Sequence, residues 1–376
     1  MMLRLVLFAL CLTAPITAHA PSSLTYINTT CECNLKTIWL DVFLLMDKSV
    51  MMGGNGISSA TDYIVSAFGK LTVGQKEEYQ TRLGVISYAD SVNLIADLNQ
   101  YTSKADLFEL EIQPSNETGT NIDGAIRLAR AKFASSSSRR AARKVIIIVG
   151  GSYSQTVYED PTTVAGEFRS EGGIIITVEY LQGNAKSNPM FKKLASPNYS
   201  LINFENGKQL HAQELRQLLC RANCFCKSKW TPYADKWSAP QGGCYFPVKM
   251  SANQMLANRT CFRKNDGILA VVEDLKKDAF LTNLVTPNTN FWLGLQRKGD
   301  DWIWSDGYPV GRFTKWAKGH PISGKGDCVY MQKNANNKAA WFADDCENDH
   351  FSICQTKPCD STKYCPFQLS NDEREI

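Results

Sequence analysis

Histidine is scarce in this 376-residue chain, with four in all; beyond residue 20 only His211, His320 and His350 remain. No His-Glu-x-x-His, no Gly-x-Ser-x-Gly and no glycine-rich phosphate loop occurs. No nucleophile stands with a recognisable base, so catalysis is not expected. Long apolar runs are missing too: past the amino terminus no segment approaches the roughly 18 consecutive apolar residues that a membrane helix needs. Nor does one sign of charge dominate. Lys and Arg number 41 against 37 Asp and Glu, a formal +4, which gives no argument for nucleic acid or for general attraction to a membrane.

What is present begins with a leader-like segment. Residues 1–20 carry Arg4, the apolar run Leu5 to Leu12 and the small residues around Ala18 and Ala20, the three parts of a secretory signal. A secreted, extracellular protein is expected. Thirteen cysteines, less Cys11 in the leader, leave an even set bound for an oxidising space, so every remaining cysteine is expected in a disulfide. Four Asn-x-Ser/Thr sequons, at Asn28, Asn116, Asn198 and Asn258, agree with that route. The length suits two domains of ordinary size.

Between Ile38 and Leu219 apolar strand-like runs alternate with amphipathic patterns: strand Trp39–Met46, helix from about Ser58, strand Leu83–Tyr88, helix from about Asn121, strand Lys144–Val149. Helix near Val164, strand Ile174–Glu179 and a helix from about Ala212 complete the series. Alternation of this kind indicates an α/β doubly wound parallel sheet covered on both faces. Cys31 and Cys33 precede the first strand and Cys220 and Cys224 follow the last helix. Domain termini lie close together, so these four are expected to close the base with two bridges, in a pairing that the spacing leaves open. Zinc held by the four thiolates is the alternative, disfavoured in an oxidising compartment.

Asp47-Lys48-Ser49 at the end of the first strand, Thr118-Gly119-Thr120-Asn121-Ile122 before a helix, and the central run Val145–Gly151 resemble a von Willebrand factor type A domain, over residues 36–222. The resemblance implies a Mg²⁺ site at the carboxyl ends of the strands, built on an Asp-x-Ser-x-Ser motif, a Thr and a later Asp. Asp47, Ser49 and Thr120 fall on three of those positions. Met51 and Gly150 fall on the other two, where neither offers the oxygen a hard cation prefers. A degenerate metal site is the expectation, with no cofactor required and weak Mg²⁺ or Ca²⁺ binding as the residual option.

Farther on, Phe291-Trp292-Leu293-Gly294-Leu295 and Trp302-Ile303-Trp304-Ser305-Asp306-Gly307 lie among Cys226, Cys244, Cys261, Cys328, Cys346 and Cys354. This combination resembles a C-type lectin-like domain, an α+β fold, here over residues 226–356. The resemblance implies Cys261 with Cys354, Cys328 with Cys346, and an amino-terminal hairpin closed by Cys226 and Cys244. Helical patterns near Ala252–Thr260 and Val272–Leu284 supply its two helices. A tail over 357–376 follows, its loop closed by Cys359 and Cys365.

Sugar binding in that family uses Ca²⁺ held by a Glu-Pro-Asn or Gln-Pro-Asp loop and a Trp-Asn-Asp strand. Here the loop reads His320-Pro321-Ile322, with a cis bond implied before Pro321, and the strand reads Trp341-Phe342-Ala343. Four ligands are replaced, and a Ca²⁺ site of the family type is not expected. Asp327, Asp344 and Asp345 offer a shifted site; a solvated acidic loop is the simpler reading. Lys315, Trp316, Lys318, His320 and Lys325 instead suggest a cationic and aromatic face for an anionic glycan or a protein. The domain order looks like the nematode C-type lectin domain-containing proteins, which implies extracellular recognition, including innate defence. A matrix or adhesion protein acting through its first domain is the alternative. Partners are therefore glycan or extracellular protein, with no role for nucleic acid.

Overall fold

The computed structural model describes residues 31–363 except 136–137, 140–141, 154–157, 184–185, 206, 228, 234–239 and 241. The leader, the Asn28 sequon, Cys365 and the tail beyond it lie outside the described residues.

The first unit runs β1 (Leu40–Asp47), α1 (Gly53–Phe68), β2 (Arg82–Tyr88), β3 (Val92–Ala96), α2 (Ile122–Phe133), β4 (Arg143–Gly150), α3 (Pro161–Ser170), β5 (Ile174–Glu179), α4 (Pro189–Leu194) and β6 (Ser200–Ile202). A small hairpin, β7 (Phe204–Glu205) with β8 (Lys208–Gln209), and α5 (Ala212–Ala222) follow. Strand order is β3-β2-β1-β4-β5-β6. Every residue of β1 is buried, as expected of a central strand with helices on both faces. Its side chains alternate between two cores: Leu40, Val42, Leu44 and Met46 pack toward α1 and α5, while Phe43 and Leu45 pack toward α2 and α3.

The sheet is not all parallel. β3 pairs antiparallel with β2, because Ala89, Asp90 and Ser91 are too few to form a crossover and only a hairpin spans so short a gap. Helix α1 starts several residues earlier than its periodicity suggests. Gly53, at φ +58°, turns the chain into it, and the run Gly53-Gly54-Asn55-Gly56 is poor in helix formers, so the start depends on packing. Asn121, Asp160 and Asn188 cap α2, α3 and α4 with their side chains, which fixes those starts.

The second unit is α+β. It comprises β9 (Thr231–Pro232), β10 (Cys244–Ala252), α6 (Gln254–Arg263), β11 (Ile268–Leu269), α7 (Leu275–Leu284), β12 (Asn290–Lys298), β13 (Asp301–Trp304), β14 (Cys328–Lys333), β15 (Ala339–Asp344) and β16 (His350–Thr356). The order β15-β14-β12-β16-β10-β9 is antiparallel except where β12 meets β16. Trp292 and Trp341 are the largest fully buried side chains, one on each side of the sheet.

Cys31 is bonded to Cys224 and Cys33 to Cys220, closing the base of the first unit. Cys226–Cys244, Cys261–Cys354 and Cys328–Cys346 staple the second. Cys359 is also disulfide-bonded. The carboxyl-terminal segment returns to the junction: Phe225 and Cys359 exchange backbone hydrogen bonds of 3.0 and 2.9 Å, and buried Asp360 accepts from the Glu32 amide at 2.9 Å.

Candidate ligand-binding site

At the carboxyl edge of the first sheet the loops after β1, after β2 and before α2 meet. Val50 N–H donates to the Glu117 carbonyl at 3.0 Å and Asn121 N–H to that of Ala89 at 2.8 Å, and Lys48 Nζ donates to Ser91 Oγ at 2.9 Å. Asp47, Ser49 and Thr120 come together here, all buried. The Ser49 amide donates to Asp47 Oδ1 at 2.9 Å, but Asp47 Oδ2 and Ser49 Oγ have no partner of normal geometry. Burial accordingly raises the Asp47 pKa, only partly offset by donors from Ser49 and Gly151.

The two other positions do not complete a hard-cation site. Met51 is 58% exposed, out at the rim beside Val50. At Gly150 a Cβ would lie 2.5 Å from the Tyr88 hydroxyl and 3.0 Å from Phe191 Cζ, so the volume a second carboxylate would need is filled. Tyr88 is itself buried and donates to the Val149 carbonyl at 3.1 Å. One carboxylate and two hydroxyls are a poor match for Mg²⁺. Asn116, a sequon residue, is exposed on the loop before α2.

In the second unit the long loop between β13 and β14 is stitched to β15 by its own backbone. Trp341 N–H donates to the Lys315 carbonyl at 2.8 Å and Ala317 N–H to the Trp341 carbonyl at 2.9 Å. The His320–Pro321 bond is cis, and His320 Nδ1 accepts from the Ala343 amide at 3.0 Å. His320 thus holds the loop to the strand. The residues expected to form a cationic face divide. Lys318 and Lys325 are exposed. Lys315 reaches toward Asp278 at 3.6 Å, and Trp316 is half-buried against Trp302 and Trp341, with centroids 5.0 and 5.9 Å away.

The acidic residues do not converge. Asp344 binds His350 Nε2 at 2.8 Å and Asn348 Nδ2 at 2.9 Å. Asp327 takes Arg297 Nε at 2.7 Å, and Asp345 accepts from the Glu347 amide at 3.1 Å. Among the described residues no three of His, Cys, Asp or Glu are placed to hold a metal. A feature not anticipated from the sequence is a run of half-buried rings on one face of β14 and β15 that continues to the buried Trp292. His320 lies 5.1 Å from Phe342, Phe342 stacks on Tyr330 at 5.2 Å, and His350 sits 4.6 Å from Tyr330 and 4.5 Å from Trp292. The register Tyr330↔Phe342 makes the two rings a cross-strand pair.

Comparison with known proteins agrees with this organisation. Residues 41–217 match the von Willebrand factor type A domain, and residues 250–356 match the lectin C-type domain. C-type lectin domain-containing protein 160 of Caenorhabditis elegans is 23% identical over 360 residues, 89% of this chain and 56% of that protein. C-type lectin domain family 2 member D of Homo sapiens is 28% identical over 130 residues, 33% of this chain and 63% of that protein. The chain thus spans less than two thirds of the length of either relative. The human lithostathine structure is 26% identical, covering 35% of this chain and 99% of that one at a TM-score of 0.31. Neither matched domain is an enzyme family, and no helix among the described residues is long and apolar enough to cross a membrane. Sequence, topology and matched regions agree: this chain carries a von Willebrand factor type A domain followed by a C-type lectin domain.

Proposed function

We propose that this is a secreted recognition protein, with roles of the innate-defence kind, whose lectin domain binds glycan or extracellular protein without the family's calcium. One observation carries the reading. The long loop is tied to β15 by His320 Nδ1 and the Trp341–Lys315 and Ala317–Trp341 backbone bonds, so protein groups hold the shape that a cation holds elsewhere in the family. Phe342 and Ala343, at the strand's ligand positions, bring no oxygen from their side chains. The loop offers Lys318 and Lys325 to an anionic ligand, with Lys315, Trp316 and His320 supporting them from behind. In the first domain the contact surface would be the crevice rim, where Val50 and Met51 are exposed.

The test is a glycan array with and without chelator, beside calorimetry with millimolar Ca²⁺ and Mg²⁺ on the disulfide-intact protein. Array signals unchanged by chelator, with no heat of metal binding, are expected. Chelator-sensitive binding would return the protein to the calcium-dependent lectins and overturn the proposal.

A further inference from the structure

Helix α6 turns an unusual face to solvent. Gln254, Ala257 and Cys261 pack inward, but Met255 is 68%, Leu256 46% and Phe262 64% exposed. Met255 and Phe262, two turns apart, lie on the same side of the helix. Apolar side chains grouped on one side of a helix are a surface that a covering group or a ligand can bury. Asn258 is three residues after Met255 and four before Phe262, spacings that place its side chain beside both. It is exposed and is the acceptor of the Asn258-Arg259-Thr260 sequon.

We infer that Asn258 carries an N-linked glycan whose inner sugars cover Met255 and Phe262, making α6 a shielded face and not a docking surface. This rests on the secretory reading above, since the donor is the lipid-pyrophosphate-linked oligosaccharide of that route. In the transfer, Asn258 Nδ2 forms a bond to the sugar C1, the C1–O bond to pyrophosphate breaks, the amide proton passes to a base and the lipid pyrophosphate leaves. In the folded helix Thr260 Oγ1 donates to the Leu256 carbonyl at 2.9 Å. The chemistry of this face suits a sugar: the apolar faces of pyranose rings pack on Met and Phe side chains, and the acceptor residue stands between them along the helix. Charge gives no competing reason for a bare surface, because α6 carries Arg259 and Arg263 and no acidic residue.

The full chain, produced in a eukaryotic secretory host, is digested and the peptide spanning residues 254–263 is weighed before and after peptide N-glycosidase. A glycan at Asn258 is expected. Its enzymatic removal from the folded protein, or Asn258→Gln, should raise binding of a hydrophobic dye severalfold and promote self-association. Adding Met255→Lys and Phe262→Lys to Asn258→Gln should return both readouts to the glycosylated level. Glycans on Asn116 or Asn198 with Asn258 bare would sink this inference and leave the secretory reading standing. No glycan anywhere, with the protein retained in the cell, would remove both. A glycan at Asn258 whose removal changes neither dye binding nor association would refute the shielding. Deglycosylation acts on folded protein, so the answer does not depend on the variant folding.

Discussion

Gly150 shows how one missing side chain can be locked in by its neighbours. The Tyr88 hydroxyl and Phe191 ring occupy the space into which a Cβ would project, so restoring the motif residue alone does not restore the site. Gly150→Asp should destabilise the protein by about 1–3 kcal/mol through overpacking, read from denaturant midpoints, and confer no Mg²⁺ binding by calorimetry. Combining it with Tyr88→Phe, which removes the blocking hydroxyl, should recover part of that loss. Additive losses in the double-mutant cycle would show that the two groups do not meet.

Among the elements, β1 and β4 are joined at their amino ends by a buried ionic cluster. Arg139 donates to Asp41 Oδ1 from Nη2 at 2.6 Å, Lys144 Nζ approaches Asp41 Oδ2 at 2.8 Å, and Arg139 Nη2 also reaches the Leu40 carbonyl at 3.0 Å. Burial alone would raise the Asp41 pKa, but Lys144 and Arg139 outweigh it and the net shift is downward. A carboxyl depressed on folding contributes stability above its unfolded pKa and loses it as pH falls through the folded value. Arg139→Ala removes one partner and leaves Asp41 short of compensating charge, which should cost about 3–5 kcal/mol at neutral pH. The loss should begin to shrink as pH falls to about 4, where Asp41 protonates in the unfolded chain, and fade only as pH passes through the lower folded value. Urea titrations across pH check this; a loss independent of pH would mean that Arg139 acts by packing alone.

For the molecule as a whole, the join between the domains is built from both ends of the described chain. Asp360 accepts from the Glu32, Thr362 and Lys363 amides at 2.9, 2.8 and 3.0 Å, and Ser361 bonds Asn34 and Glu32. Burial opposes the Asp360 charge, yet these donors leave its pKa lowered. Asp360→Ala would strand the amides and should cost about 1–3 kcal/mol, confined to the join. The expected readout is faster proteolysis near Phe225 and separation of the two domains' melting transitions in calorimetry; one unchanged transition would show that the domains stay coupled by other contacts.

Both folds were legible in sequence because their signals are local. Alternating apolar strands and amphipathic helices, paired cysteines and the Trp-Gly segments specify element type and order wherever hydrophobic period and turn chemistry agree. The substitutions at Met51, Gly150, His320 and Phe342 were readable for the same reason, since each residue carries its own ligand chemistry. Distance between residues far apart in sequence was not. Which base cysteines pair, the antiparallel turn of β3, the Tyr88 hydroxyl against Gly150, the His320–Ala343 bond and the rings meeting across β14 and β15 depend on register and packing. Those are fixed only when separated segments compete for the same volume, and that competition exists in the folded chain alone.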